Sequence, residues 1–215
     1  MEKLTTASEA ISRIKDGSTL MIGGFLGGGA PHNLIAELIN RDIRNLTIIC
    51  NDTDFPDKGI GLLITQKRVK KVIVSHIGTN PNTGDQMNKG ELEVEFSPQG
   101  TLIERIRSGG AGLGGVLTPT GIGTIVAEGK EIITVEGKEY LLEKPLRAEF
   151  ALIKAGIGDR MGNLVYHGTA RNFNPVMATA ADCVIAEVEQ MVEPGEIPLD
   201  HVHTPAIFVD YIVLN

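Results

Sequence analysis

The polar and apolar positions at the start of the chain have the spacing of a short helix followed by a buried strand. Thr6 and Glu9 stand three residues apart, which is the spacing of a capping box at a helix N-terminus. The apolar residues of 10–14 then share one helical face, and Gly17 is free to adopt the positive φ that ends a helix. Residues 19–22 are apolar on both sides, which is typical of a central, covered strand.

A glycine-rich loop, a helix and a second strand follow. The loop runs from Gly23 to Gly29, and Pro31 suits the first turn of a helix whose apolar stripe lies in residues 34–39. Residues 46–50 predict the second strand. This order indicates a βαβ unit with parallel strands and a right-handed crossover.

The same alternation continues along the chain. Thr101 and Glu104 again have capping-box spacing and predict the start of a helix. The glycines of 109–123 predict a long loop with short extended pieces, and residues 131–143 predict a β-hairpin turned at 136–138. The predicted helices are 61–67, 101–107 and 175–181, and the further predicted strands are 72–74, 92–96, 150–154, 184–188 and 207–214.

These elements predict an α/β fold, in which an open, mostly parallel sheet is flanked by helices and carries an added β-hairpin. The chain contains no repeat, no low-complexity segment and no linker that divides it. We therefore predict a single domain over residues 1–215.

Charge and composition exclude several function classes. The net charge is −7 and no block of like charges is present, which argues against a nucleic-acid partner. Cys50 and Cys183 lie far apart beside apolar runs, and we interpret them as buried thiols. The first residues carry no apolar signal segment, and no apolar run approaches the length of a membrane span. We expect a cytoplasmic protein with no membrane partner.

The glycine-rich loop is the first candidate for chemistry. Glycines let backbone amides approach a ligand closely, and the N-terminus of the following helix adds partial positive charge. The triplet 27–29 does not have the spacing of a dinucleotide-binding loop, and no acidic residue ends the next strand at the ribose position. By itself the loop is equally compatible with a tight turn that binds nothing.

The complete string around the loop is more specific. It resembles the signature of class I CoA-transferase subunits, which is Asp-Gly, two free positions, three aliphatic residues, Gly-Gly-Phe, three free positions, Gly, one free position and Pro. The matching residues are Asp16, Gly17, Leu20, Met21, Ile22, Gly23, Gly24, Phe25, Gly29 and Pro31. Further segments similar to this family are 51–53, 75–81, 97–107, 109–115, 118–124 and 170–175. The likeness is strongest to α subunits of acetate or butyrate–acetoacetate CoA-transferases.

The resemblance implies a substrate and a set of binding residues. It assigns the loop to coenzyme A or the acyl group, on Gly23, Gly24, Phe25, Leu26, Gly27, Gly28 and Gly29. Asn51 and Gln99 match family positions that approach the active site, and each amide can donate to a substrate oxygen. Without the resemblance, both would be interpreted as polar loop caps.

The resemblance also implies that the nucleophile is elsewhere. In this family the thioester is attacked by a glutamate in a Ser-Glu-Asn-Gly-like segment of the β subunit, and a glutamyl-CoA intermediate forms. This chain has no such segment, and we interpret Glu128 and Glu136 as solvated turn residues. We therefore expect no catalytic nucleophile in this chain and a β-subunit partner, in an α2β2 assembly.

The histidines give weaker signals. His76 is either a pocket residue or a hydrogen-bonded loop residue, and His32 fits a surface position. His201 and His203 lack a clear third ligand, so no metal site is predicted. Arg171, Asn172 and Asn174 form either a buried capping cluster or a partner contact.

We thus predict the α subunit of an enzyme that moves CoA between a short-chain acyl-CoA and a free carboxylate. A CoA thioester is the expected substrate, and no permanently bound cofactor is expected. Two alternatives stay open, which are a non-catalytic ligand-binding protein of the same fold and the α subunit of a succinyl-CoA:3-oxoacid CoA-transferase.

Overall fold

The main sheet is parallel along its whole hydrogen-bonded path. In this computed structural model, which describes residues 3–215, eight strands pair in the order β1-β12-β11-β9-β2-β3-β4-β5, and β10 adds one antiparallel pairing on β9. The strands are β1 (Leu4–Thr5), β2 (Thr19–Ile22), β3 (Leu46–Asp52), β4 (Val69–His76), β5 (Glu93–Phe96), β9 (Ala148–Asp159), β10 (Leu164–Val165), β11 (Ala181–Val192) and β12 (Tyr211–Leu214). The edges at β1 and β5 stay apart, so the sheet is open as predicted.

Helices cover both faces of this sheet. The helices are α1 (Ala7–Ile11), α2 (His32–Asn40), α3 (Ile60–Thr65), α4 (Pro81–Asn88), α5 (Gln99–Gly110) and α6 (Asn174–Met177). Neighbouring residues of β3 point to opposite cores: Ile48 packs with α1, α2 and α3, whereas Ile49 packs with α5 and α6. Burial on both faces explains why the central strands are almost continuously apolar.

The predicted start of the first helix is confirmed. Thr6 occupies the N-cap and its hydroxyl accepts a hydrogen bond from the Glu9 amide at 3.1 Å. The Glu9 carboxylate accepts from the Thr5 hydroxyl at 2.8 Å. The predicted end of this helix is wrong: α1 ends at Ile11 with Ser12 as its C-cap, and Gly17, with a φ of +82°, lies in the turn before β2.

The second predicted capping box is wrong. Helix α5 begins at Gln99 after Pro98, and its N-cap makes no side-chain hydrogen bond. Thr101 is only 5% exposed because it faces the core inside the first turn. The helix also extends to Gly110, beyond its predicted end at 107. Glycine is required there because a Cβ on Gly109 would lie 1.9 Å from the Leu146 carbonyl oxygen.

A second, three-stranded sheet contains the predicted hairpin. Its strands are β6 (Val116–Thr118), β7 (Ile132–Val135) and β8 (Lys138–Glu143), in the order β6-β8-β7. The turn at Glu136 and Gly137 has positive φ at both residues, which matches the twist of a two-residue hairpin. Glu143 is buried and accepts from Lys130 Nζ at 2.6 Å, while Arg105 Nε of α5 lies 3.7 Å away.

The strand order of the main sheet reverses at β2. From β2 the chain proceeds to β3, β4 and β5 on one side, whereas β9, β11 and β12 lie on the other side of β2. Ligands of open α/β sheets bind beyond the carboxyl ends of strands where the strand order reverses in this way. The glycine loop leaves β2 at this point. Among residues 3–215, no helix has the length and apolar character needed to span a bilayer.

Candidate active site

The glycine loop is folded as a miniature hairpin. Phe25 N donates to Gly28 O at 3.0 Å, and Gly28 N donates to Phe25 O at 2.9 Å. The two residues between them, Leu26 and Gly27, both have positive φ, at 47° and 78°. Leu26 is a non-glycine residue in a left-handed conformation, so other contacts must hold it there.

The carboxylate of Asp52 supplies one of these contacts. Its Oδ2 accepts from Leu26 N at 2.9 Å and from Asn51 Nδ2 at 2.7 Å, and its Oδ1 accepts from Asp54 N at 2.9 Å. Asp52 is only 4% exposed. Since both of its oxygens are engaged with donors, Asp52 is a structural acceptor rather than a free nucleophile.

Asn172 and Asn174 hold the other side of the loop. Asn172 Oδ1 accepts from Gly24 N at 3.2 Å, and Asn172 Nδ2 donates to Gly28 O at 3.0 Å. The fully buried Asn174 donates from Nδ2 to Gly29 O at 3.0 Å. Both side chains therefore fix backbone groups of the loop, and Asn174 fits the predicted buried cluster. The neighbouring Arg171 is exposed.

Gly23 requires the absence of a side chain. A Cβ there would lie 1.9 Å from Asn174 Oδ1, the atom that accepts from Lys154 N at 3.0 Å. The signature glycine at this position thus permits an amide side chain to pack directly against the start of the loop.

Asn51 and Gln99 are in direct contact. Gln99 Nε2 donates to Asn51 Oδ1 at 2.7 Å, and the Ser75 hydroxyl donates to the same oxygen at 3.0 Å. Asn51 is buried, whereas Gln99 is exposed at the first position of α5. One N–H of the Gln99 amide is engaged with Asn51, and its second N–H points away from that bond.

These groups surround one open cavity of about 390 Å³. It is lined by Phe25, Leu26, Asn51, Asp52, Ser75, His76 and Gln99. The structure therefore brings together the tip of the loop, Phe25 and Leu26, and both predicted amides. The backbone groups of Gly24, Gly28 and Gly29 bond instead to Asn172 and Asn174, and none of the five predicted loop glycines lines the cavity. Their assignment to substrate stays a prediction. His76 lies at this cavity, at the end of β4 rather than in a loop.

Burial controls the titration of groups beside the cavity. Burial raises the pKa of the Asp54 carboxyl, although the Phe55 amide and Lys58 oppose this shift. Burial also raises the pKa of the Cys50 thiol well above its usual range, and Asp52 and Asp54 add to the effect. Cys50 is thus a thiol at neutral pH and a core residue, as predicted, whereas Cys183, also predicted to be buried, is only half-buried on β11.

Two further histidines, His32 and His203, have local partners. His32 Nε2 lies 3.2 Å from Gly27 O, and His203 Nδ1 accepts from Tyr166 N at 2.9 Å. Among the described residues, no three His, Cys, Asp or Glu side chains gather around a point that would suit a metal ion.

Comparison with known proteins identifies the family. Residues 4–215 match the model of the family described as Coenzyme A transferase. The chain belongs to the CoA-transferase family.

Curated relatives cover nearly the whole of this CoA-transferase chain. It is 54% identical over 213 residues to the acetate CoA-transferase alpha subunit of Escherichia coli K12, covering 99% of this chain and 97% of the relative. It is 55% identical over 202 residues to the acetoacetyl-CoA:acetate/butyrate CoA transferase alpha subunit of Clostridium acetobutylicum. This match covers 94% of this chain and 93% of the relative. It is 47% identical over 212 residues to one subunit of a probable succinyl-CoA:3-ketoacid coenzyme A transferase of Bacillus subtilis, covering 99% and 89%.

A solved structure confirms the fold. The acyl-CoA transferase of Escherichia coli O157:H7, in a thioester complex with CoA, matches the whole of this chain with a TM-score of 0.90 and 26% identity. This chain spans about half, 47%, of that longer chain. The predicted open, mostly parallel CoA-transferase fold is therefore confirmed.

Sequence analysis missed how the loop of this CoA-transferase chain is held. Asp52, Ser75 and Asn172 had no assigned contact with the site. Asn172 lies 148 residues from Gly24, so sequence spacing carries no signal of their contact. Asp52 followed a predicted strand end, and only the sheet topology indicates that it faces the loop.

We predict that Gly23→Ala destabilises the protein by about 2 kcal/mol or more, because the new methyl group displaces the buried Asn174 side chain from its partners. Thermal or guanidinium unfolding of the isolated chain measures this change. Gly84→Ala in α4 is the matched control, because no atom lies within 4 Å of its Cβ position. Equal stability of Gly23→Ala and Gly84→Ala would contradict the packing described for the loop.

Proposed function

We propose that this chain is the α subunit of a CoA-transferase that moves CoA between a short-chain acyl-CoA and a free carboxylate. Acetoacetyl-, butyryl- and acetyl-CoA are the proposed thioesters, and the partner β subunit supplies the catalytic glutamate in an α2β2 assembly. The observation that carries the proposal is the convergence of the glycine-loop tip, Asn51 and Gln99 on one cavity at the strand-order reversal.

The cavity offers an apolar surface and a hydrogen-bond donor, the two kinds of contact that an acyl thioester needs. Phe25 is 45% exposed and presents an apolar ring, which suits an acyl chain or the pantetheine arm. The second N–H of Gln99 suits the carbonyl oxygen of the thioester, on which negative charge develops during attack. Asn51 fixes the Gln99 amide through their 2.7 Å bond and is a positioning residue.

The lining of the cavity supports a nucleophile on a second chain. Asp52 is the one carboxylate among its lining residues, and three donors already occupy that group. A carboxylate engaged in this way is a weak nucleophile, because attack would break the bonds that hold Leu26 and Asn51. The reactive carboxylate must therefore enter from outside this set of residues.

The proposed reaction is balanced without ATP or a redox cofactor. The glutamate of the partner attacks the thioester carbonyl and releases CoA thiolate, which leaves an acyl–glutamyl anhydride. The thiolate then attacks the glutamyl carbonyl, which frees the first carboxylate and forms glutamyl-CoA. The acceptor carboxylate reverses these steps and leaves as the new acyl-CoA.

Two further points belong to this proposal. The relatives that act on acetate, butyrate or acetoacetyl-CoA by name are 54% and 55% identical, against 47% for the succinyl-CoA relative, which favours short monocarboxylates.

We also propose a cytoplasmic location, which is supported by two cysteines that are both free thiols.

The first experiment compares this chain alone with this chain mixed with its β subunit. Exchange of CoA from acetoacetyl-CoA to acetate is followed by chromatography of the CoA thioesters. We expect turnover only in the mixture, because the glutamate is on the partner. Turnover by this chain alone would refute the division of the site, and succinate used in preference to acetate would favour the alternative transferase. An inactive mixture with all these acceptors would favour a non-catalytic binding protein.

A second experiment tests Gln99. In the active complex, Gln99→Ala should lower kcat/KM about 10²-fold, because a donor to the developing oxyanion is lost. Asn88→Ala, at the exposed end of α4, is the control and should leave kcat/KM unchanged. A Gln99→Ala complex with wild-type kcat/KM would remove Gln99 from the site.

A further inference from the structure

A buried glutamate outside the cavity caps the helix that follows the glycine loop. Glu187 of β11 is 0% exposed, and its Oε2 accepts from Asn33 N at 2.9 Å and from Leu34 N at 3.2 Å. These amides belong to the first turn of α2, where backbone donors have no partner inside the helix.

The helix has no cap of its own. Pro31 occupies the N-cap position and makes no side-chain hydrogen bond, and the first turn contains no acidic residue. Glu187, which is more than 150 residues away in sequence, therefore supplies both a capping side chain and a negative charge at the helix N-terminus.

The ammonium group of Lys154 faces one oxygen of Glu187. Lys154 Nζ of β9 lies 4.0 Å from Glu187 Oε1 and 3.1 Å from Oε1 of the half-exposed Glu189. Glu187 Oε1 itself has no hydrogen-bond partner among the described residues. Burial raises the pKa of Glu187, whereas the amides of Leu34 and Asn33, Lys154 and His32 oppose this shift.

The same lysine is tied to the loop through its backbone. Lys154 N donates to Asn174 Oδ1, and Asn174 Nδ2 donates to Gly29 O. The loop is thus held at its end by Asn174 and, one turn later, through the Glu187 cap on α2. Burying the Glu187 carboxylate with one oxygen unpaired lowers the stability of the fold. We therefore expect this side chain to have a role that compensates for the cost.

We propose that Glu187 is a positioning residue that fixes the start of α2 and thereby the conformation in which the glycine loop binds acyl-CoA. This inference rests on the proposed function of the loop. It assigns the role to hydrogen-bond acceptance by Glu187, with Lys154 as the balancing charge.

Kinetics of the reconstituted complex test the proposal with three variants. Glu187→Leu removes the acceptor at similar volume and should raise the KM for acetoacetyl-CoA about fivefold, which corresponds to ~1 kcal/mol of lost capping, with little change in kcat. Glu187→Gln keeps a carbonyl acceptor and should restore most of the wild-type KM. Glu189→Gln, which faces the same lysine but not α2, is the control and should match wild type.

A merely structural role would give another pattern. It would lower the amount of active complex and hence the apparent kcat, with an unchanged KM. That result for Glu187→Leu, or a KM in Glu187→Gln as high as in Glu187→Leu, would overturn the proposal.

Amide hydrogen exchange decides the matter independently of the reaction and without any variant. In the wild-type chain, the amides of Asn33 and Leu34 should exchange as slowly as the interior amides of α2. Fast exchange at both positions would overturn the proposal. If the wild-type complex is inactive but both amides are protected, the proposed reaction fails while the cap on α2 stands.

Discussion

The carboxylate of Asp52 is the contact on which the arrangement of the candidate site depends. It binds the Leu26 amide of the loop after β2 and the Asn51 side chain on β3 at once. Asn51 then orients Gln99 on α5. This buried acceptor on β3 thus holds the loop directly and is linked to α5 through Asn51. Because the group is nearly inaccessible to water, loss of the Asp54 amide would leave Oδ1 without a partner, whereas Oδ2 has two donors.

Under the proposed function, this arrangement forms one half of an active site. It presents oriented donors and an apolar wall, but its own carboxylate is fully committed to structure. The division agrees with the family to which the chain belongs, in which relatives carry the names of α subunits. Chemistry at such a site depends on how rigidly each half is held before the halves meet.

Local patterns in the sequence predicted the elements that depend on neighbouring residues. The cap at Thr6, the buried β2 and the hairpin around Gly137 all follow from spacing within a few residues. The start of α5 did not, because Thr101 satisfied the capping-box pattern while its side chain was needed in the core. Tertiary packing thus overrode a local signal. Tertiary packing also accounts for a glycine inside α5, because a Cβ on Gly109 would collide with the Leu146 carbonyl oxygen.

Of the residues predicted for the site, Phe25, Leu26, Asn51 and Gln99 line one cavity, but the hydrogen bonds among the lining residues were not predicted. Asn51 and Gln99 were predicted because they match positions of the family that the sequence resembles, and each follows a predicted strand of a parallel sheet, where strand ends meet at one edge. The bond between them, and the contacts of Asn172 and Glu187 with the loop region, join residues that are 48 to 154 positions apart. The periodicity and spacing of one sequence do not indicate such pairs, because the order of strands in the folded sheet brings these residues together.

The most direct test of the account is to locate the covalent CoA intermediate. The chain and its β subunit are mixed with acetoacetyl-CoA without an acceptor, quenched in acid and analysed by intact-mass and peptide mass spectrometry. We expect an unmodified α chain and a CoA thioester on a glutamate of the β subunit. A CoA thioester on any carboxylate of this chain would contradict the claim that it contributes binding and orientation but not the nucleophile.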